Sequence, residues 1–206
     1  MKRAPRSLAL AALVAAVALL APAVADAQDL HPSRRASPMG MARITLDDGT
    51  YVRVVYNRPY KRGRDNVFGT EESGALVPYG QLWRTGANEA TEITVTGDVQ
   101  VAGQTLPAGT YSLFTTPGAD EWKVHFNSEL GLSGTGRFNQ ETRQFESAYT
   151  PDKDVVTATA TPTAIEGEDA EVDQFTISFE KTDAGADMIL RWIRTEVRVP
   201  IAPAGE

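Results

Sequence analysis

Apolar and polar residues alternate along most of the chain. Ile93 and Val95 are interleaved with Glu92, Thr94 and Thr96; Trp122, Val124 and Phe126 with Lys123, His125 and Asn127; Phe175, Ile177 and Phe179 with Thr176, Ser178 and Glu180. A period of two puts one row of side chains on a core and the other in water, so each run predicts a half-buried strand. On this pattern strands are expected near 41–46, 50–57, 91–96, 98–102, 109–116, 121–127, 154–162, 172–181, 186–193 and 195–201. Asp48-Gly49, Gly97-Asp98, Ala102-Gly103, Pro107-Ala108-Gly109 and Pro117-Gly118 fall between the runs as tight-turn signals. No stretch sustains a helical period, and β-branched Val and Thr are abundant where a pleated surface suits them. The expectation is an all-β fold: a single antiparallel β-sandwich, jelly-roll-like or immunoglobulin-like, over residues 41–203. Two long irregular pieces interrupt it, Arg58 to Asn88 and Asn127 to Pro151, and connections of that length are often functional. The second is rich in Gly, Ser and charge and reads equally well as disorder.

The first 27 residues follow another rule. Three cations at Lys2, Arg3 and Arg6 precede an unbroken apolar run of 13 residues, Leu8 to Leu20, and Ala-x-Ala patterns follow at Ala23/Ala25 and Ala25/Ala27. That order is the secretory signal, and the run falls short of the roughly 20 residues of a spanning helix. Residues 28–40, QDLHPSRRASPMG, read as a flexible leader, with His31 in it. No later segment is apolar enough to span a membrane. The expected location is therefore outside the cytoplasm, periplasmic or extracellular.

Removing that signal changes the charge. The 20 basic and 27 acidic side chains lose Lys2, Arg3, Arg6 and Asp26, leaving 17 and 26, a net charge of −9 in place of −7. An acidic surface repels phosphate backbones, so nucleic acid is excluded as a general partner. There is no cysteine, which excludes disulfides, thiolate metal sites, a cysteine nucleophile and an acylated Cys anchor. His31 and His125 are the only two imidazoles, and neither has a recognisable partner in the sequence. No nucleophile elbow and no phosphate-cradling Gly loop is present. GEDAEVD, residues 167–173, lacks the spacing of a calcium loop and reads as a solvated turn. No catalytic residue, metal site or cofactor is assigned.

Three blocks stand out in order: YNRPYKRGR at 56–64, VPYGQLWRTGANEATEI at 77–93 and LPAGTYSLFTTPGADEWKVHFN at 106–127. Together they resemble the bacterial family labelled domain of unknown function 2911. The resemblance runs from about Ile44 to Ile201 and ends in MILRWIRTEVRVPI. It implies an exported or envelope-associated protein and carries no established reaction, substrate or cofactor. The chain departs from the family pattern after Asn127, where SGTGRF replaces an aromatic loop of the type QWGxY.

Candidate chemistry gathers in the first long loop. Arg53, Arg58, Lys61, Arg62 and Arg64 lie between Tyr51 and Arg64 without a carboxylate, a local reversal of sign in an acidic chain. Arginine suits planar, two-pronged recognition of carboxylate or phosphate. If Val52, Val54 and Tyr56 face the core, Arg58 continues on that face and Arg53 points away. Arg58 or Arg84 could then pair with Glu89 as a structural clasp, or the group could open onto a ligand. Gly86 and Asn88 suit a polar loop, and Tyr79 and Trp83 could supply an aromatic platform for a sugar ring; Trp83 as a core aromatic is the competing reading. The expected function is a non-enzymatic exported sandwich that binds a small polar or anionic ligand or an envelope glycan through Arg58, Arg64, Tyr79, Trp83, Arg84, Asn88 and Glu89. The alternatives are a module that meets an envelope protein through strand edges, Pro200 marking the last strand as an edge, and a hydrolase pairing Glu89 with a second carboxylate.

Overall fold

A computed structural model describes residues 34–167 and 170–205. The expected export signal, His31 and residues 168–169 of the acidic turn lie outside the described residues. Residues 36–206 form one compact unit.

Among the described residues sixteen strands run in chain order. They are β1 (Met39–Thr45), β2 (Tyr51–Asn57), β3 (Phe68–Gly69), β4 (Val77–Pro78), β5 (Thr91–Val95), β6 (Val99–Val101), β7 (Gln104–Leu106) and β8 (Gly109–Thr116). Then follow β9 (Trp122–Asn127), β10 (Gly136–Asn139), β11 (Gln144–Ser147), β12 (Asp154–Ala160), β13 (Thr163–Ala164), β14 (Val172–Thr182), β15 (Gly185–Ile193) and β16 (Thr195–Pro203). The first sheet has the order β1-β2-β5-β8-β9-β12 and the second β14-β15-β16-β6-β7, with β13 added beside β16. All pairs in these two sheets are antiparallel, and among the described residues there is no α-helix. The fold is the expected all-β sandwich, and each of the ten expected strands is present with its ends within two residues.

The core lies between the inward rows of the two sheets. Val52, Val54, Ile93, Leu113, Val124, Phe126 and Ala158 come from the first; Phe175, Ile177, Met188, Leu190, Trp192, Val199 and Ile201 from the second. The facing row of β2 is closed to solvent while Arg53 is exposed, as the period of two requires. Polar bridges join the sheets at both flanks. The Tyr56 hydroxyl donates to Ile177 O (3.1 Å) and accepts from Ile177 N (2.8 Å), beside a register shift in β14, and Gln104 Nε2 donates to Thr157 O (2.8 Å).

Four features differ from the sequence expectation. β1 begins at Met39, inside the expected leader. Ala102 and Gly103, at φ 46° and 81°, form a two-residue turn that returns the chain as β7, a strand of three residues too short to show a period. The second long connection contains the hairpin β10–β11, so it is not a structureless loop. β16 is interior to its sheet, not an edge. Pro200 is tolerated because its carbonyl accepts from Ala102 N at the point where β6 begins to pair. The missing N–H points to that same flank, in the gap between the β13 pairing at Glu196 and the β6 pairing at Ile201.

The Tyr56 bridge is testable. Tyr56→Phe leaves a buried N–H and C=O of Ile177 without their partner and is expected to cost about 1–3 kcal/mol in urea unfolding with an unchanged slope. A loss below about 0.3 kcal/mol would show that β14 satisfies these groups without the hydroxyl.

Candidate functional site

The WRTGANE segment is a tight loop clamped from three sides. Trp83 exchanges two backbone hydrogen bonds with Thr115 (2.7 and 2.9 Å), which attaches the loop to the end of β8. Its indole Nε1 donates to Gly86 O (3.0 Å), and Thr91 Oγ1 donates to Thr85 O (2.7 Å). Gly86 lies so close to β2 that a Cβ there would stand 2.8 Å from Asn57 O, which only glycine permits. On the other side Gly134 N donates to Asn88 O and Ala90 N to Leu132 O, each at 2.9 Å, so the second long connection closes over the loop. Thr85 and Asn88 hold φ of 53° and 57°, left-handed values that are unusual for the β-branched Thr85 and persist because these contacts over-determine the backbone.

The expected cationic cluster does not converge. Arg53 is exposed and opposite Arg43 across the β1–β2 pair. Arg58 lies on the inward side as parity requires, but its guanidinium turns to β14, donating to Phe175 O (3.2 Å) and Thr176 Oγ1 (2.9 Å). Lys61 pairs with Glu171, Arg62 donates to Ala36 O (3.0 Å) and Arg64 to Tyr60 O (3.2 Å). Trp83 is 7% exposed and packed among Phe68, Trp122, Phe175 and Trp192, so it is a core aromatic and not a platform. Tyr79 is exposed and lines a groove of about 170 Å³ with Phe68, Trp122, Thr163 and Arg194.

What remains at the loop is Arg84, Asn88 and Glu89, joined by Asn57, which the sequence did not single out. Asn57 is 4% exposed; its Nδ2 donates to Glu89 Oε2 (2.9 Å) while its Oδ1 is buried without a hydrogen-bond partner. Arg84 Nε is likewise buried and unpartnered, and burial alone lowers the guanidinium pKa. The Arg84 guanidinium lies against Gly134. Among the described residues no carboxylate forms an ion pair with Arg84. Asn88 is exposed, its Nδ2 donating to Ser37 O at 3.4 Å. A desolvated cation without a compensating acid is costly by itself and favours an anion beside it.

His125 lies on the outer face of β9, as its parity predicts, yet it is buried and partnered. The segment before β12 crosses this face and brings Tyr149 against Phe114 and His125. His125 Nδ1 is 3.0 Å from Asp154 Oδ2 and Nε2 is 3.0 Å from Thr116 Oγ1. Asp154 also accepts from Tyr149 OH and Asn127 Nδ2, both at 2.7 Å. Burial holds the imidazole pKa below its usual value, Lys123 adds to this, and Asp154 opposes it. Burial and the Asp154 carboxylate push the Tyr149 hydroxyl well above its ordinary range. Alternation puts Thr116 and His125 on one face of β8 and β9, whereas Asp154 reaches it through a register shift and Tyr149 from outside the strands, and neither has a sequence signal.

The sequence signature of the family described as "Protein of unknown function (DUF2911)" matches residues 37–201, and the chain belongs to that family. No curated protein and no solved structure matches the chain.

The His125 environment predicts a pH effect. With its folded-state pKa below the unfolded value of about 6.5, the unfolded chain binds the extra proton, and stability falls as pH drops through that value. The Tm of the wild type is expected to fall further between about pH 7.5 and pH 5 than that of His125→Gln. Parallel Tm curves for the two proteins would contradict it.

Proposed function

We propose that this protein is an exported β-sandwich that binds a small ligand through an anionic group, a carboxylate or phosphate such as a sugar acid carries, received by Arg84 with Asn57, Asn88 and Glu89 around it. One observation carries the reading: Arg84 Nε is buried, unpartnered and uncompensated by any described carboxylate, in a loop whose other flank holds the unpartnered Asn57 Oδ1. Native interiors leave few such atoms, and two beside one strained loop support a site whose partner is a ligand. The chemistry suits recognition: the guanidinium offers two parallel donors to an anion, Asn57 Oδ1 accepts from a hydroxyl, and Asn88 does both. Export, expected from residues 1–27, would place the site before extracytoplasmic solutes.

A second reading rests on the β10–β11 hairpin. Phe138 and Phe145 are paired across it and are 52% and 56% exposed, an apolar pair that supports contact with an envelope protein. Crosslinking in intact cells separates this reading, since a protein adduct that disappears in a Phe138→Ser, Phe145→Ser double variant belongs to the hairpin and not to Arg84.

The ligand reading is tested by thermal shift and calorimetry against glucuronate, inorganic phosphate and peptidoglycan fragments. A ligand at a hundred times its Kd is expected to stabilise the wild type by about 2.7 kcal/mol, and Arg84→Ala to remove that gain. Arg84→Lys, which keeps the charge without the fork, is expected to restore only part of it. Equal stabilisation of wild type and Arg84→Ala, or none by any member of the panel, would overturn the proposal.

A further inference from the structure

We propose that Thr116, His125 and Asp154 form a hydroxyl–imidazole–carboxylate relay on the outer face of the first sheet, with Thr116 Oγ1 as a nucleophile toward small carboxylic esters. This relay shares no residue with the Arg84 loop, which attaches to β8 at Thr115, and it does not depend on a ligand there.

The arrangement follows from strand register. Phe114 is opposite His125, Thr116 opposite Lys123, Thr157 opposite His125 and Asp154 opposite Asn127. Side chains two apart share a face, so Thr116, Lys123, His125, Asn127 and Thr157 all project outward. The register shift between Asp154 and Val156 is a β-bulge, a device that re-aims a side chain, and Asp154 meets the imidazole there. The contacts then run in one line: Thr116 Oγ1 to His125 Nε2 at 3.0 Å, and His125 Nδ1 to Asp154 Oδ2 at 3.0 Å. Nucleophile within reach of a base, and base held by a third group, is the signature of an activated hydroxyl.

Three further observations fit a reacting site better than an ordinary polar ladder. The carboxylate is fixed on both oxygens, Oδ1 by Asn127 Nδ2 and Oδ2 by Tyr149 OH, each at 2.7 Å, so it cannot swing away from the ring. A carboxylate at Nδ1 retains the proton on that nitrogen and leaves Nε2 as the acceptor for the Thr116 hydroxyl, although Thr157 Oγ1 also lies 3.3 Å from Nδ1. Accessibility is graded along the line: the His125 and Asp154 side chains are 11% and 10% exposed, whereas Thr116 is half-buried and Lys123 exposed. The base is thus desolvated and neutral at pH 7, Thr116 is less deeply buried than the base, and the Lys123 cation stands opposite Thr116 on the same face to meet a developing oxyanion.

The step balances without any further reactant than ester and water. Thr116 Oγ1 bonds to the ester carbonyl carbon as its proton passes to His125 Nε2. The carbon–alkoxide bond breaks, and the departing alkoxide takes that proton. Water, deprotonated by the same nitrogen, then attacks the acyl-threonine; the bond from the acyl carbon to Oγ1 breaks, the carboxylic acid leaves, and the Nε2 proton returns to Oγ1 to restore the Thr116 hydroxyl.

The test uses the full chain with p-nitrophenyl acetate, following p-nitrophenolate release and mapping acetylated peptides by mass spectrometry. The expected result is acetyl on Thr116 in the wild type, retained in Thr116→Ser and absent in Thr116→Val. His125→Gln is expected to slow release at least about a hundredfold. Circular dichroism and Tm of each variant accompany the rates, and the Thr116→Ser variant keeps the proposal falsifiable if Thr116→Val does not fold. Acetyl found on lysines alone, or release from Thr116→Ser no faster than from Thr116→Val, would overturn it.

Discussion

The aromatic interlock between the two sheets is the constraint on which the rest of the molecule depends. Phe68 and Trp83 come from the first long connection, Trp122 from the first sheet, Phe175 and Trp192 from the second, and their rings meet at centroid distances of 4.8–6.5 Å. Most of these contacts are edge-to-face and Trp83 is stacked on Trp192; such aromatic pairs add about 0.5–1.5 kcal/mol each beyond area burial. The connection is therefore as much a part of the core as the strands are. Its polar residues inherit fixed positions from that anchoring: the Trp83 ring is held between the sheets, its indole N–H is bonded to Gly86 O, and the backbone reaches β5 through the left-handed Thr85. Arg84 is turned outward from the same anchor, which explains how a cation comes to be desolvated one residue from a tryptophan.

The two sheets treat their outer faces differently, and this decides the electrostatics. On the second sheet Arg191 and Arg198 share Glu196, and Arg198 reaches Glu180 and Asp187; these groups are partly exposed, so their worth is small and screened by salt. On the first sheet the segment between β9 and β12 lies over β8 and β9, burying Phe114, Leu132 and His125. A hydrogen bond in such a place is stronger and an unpaired group more costly. The five contacts around Asp154 and His125 are a consequence: once the covering segment excludes water, every polar atom beneath it needs a protein partner.

Periodicity made the strands legible because a sandwich strand has one wet and one dry face, and that contrast is written residue by residue. It placed Val52, Val54 and Tyr56 inward, Arg53 outward and Arg58 inward again. It could not show what covers a face. His125 and Lys123 have the same parity and opposite surroundings, since Tyr149, 24 residues further along, sits over one and not the other. Pairings of residues far apart in sequence were hidden for the same reason: the Asp154 side chain reaches His125 through a bulge, and a bulge shifts register without leaving a compositional mark. The β10–β11 hairpin escaped because neither strand has an inner face; its residues are almost all exposed, so no alternation arises.

The cations illustrate the limit of reading charge from composition. Five of them lie between residues 51 and 64 without a carboxylate, yet in the fold Arg58 goes to Phe175 O and Thr176, Lys61 to Glu171, Arg62 to Ala36 O and Arg64 to Tyr60 O, while Arg53 is exposed. Linear density counts charges; a binding site is decided by the balance of desolvation against compensation at each one. Arg84 is isolated in sequence, separated from the next cation before it by 20 positions, and so contributed little to the pattern. In the fold its guanidinium has a buried nitrogen without a hydrogen-bond partner and a pKa lowered by burial alone. The same logic applies to His125, whose importance lies in a desolvated ring with a hydroxyl at one nitrogen and a carboxylate at the other, and not in its being one of two histidines.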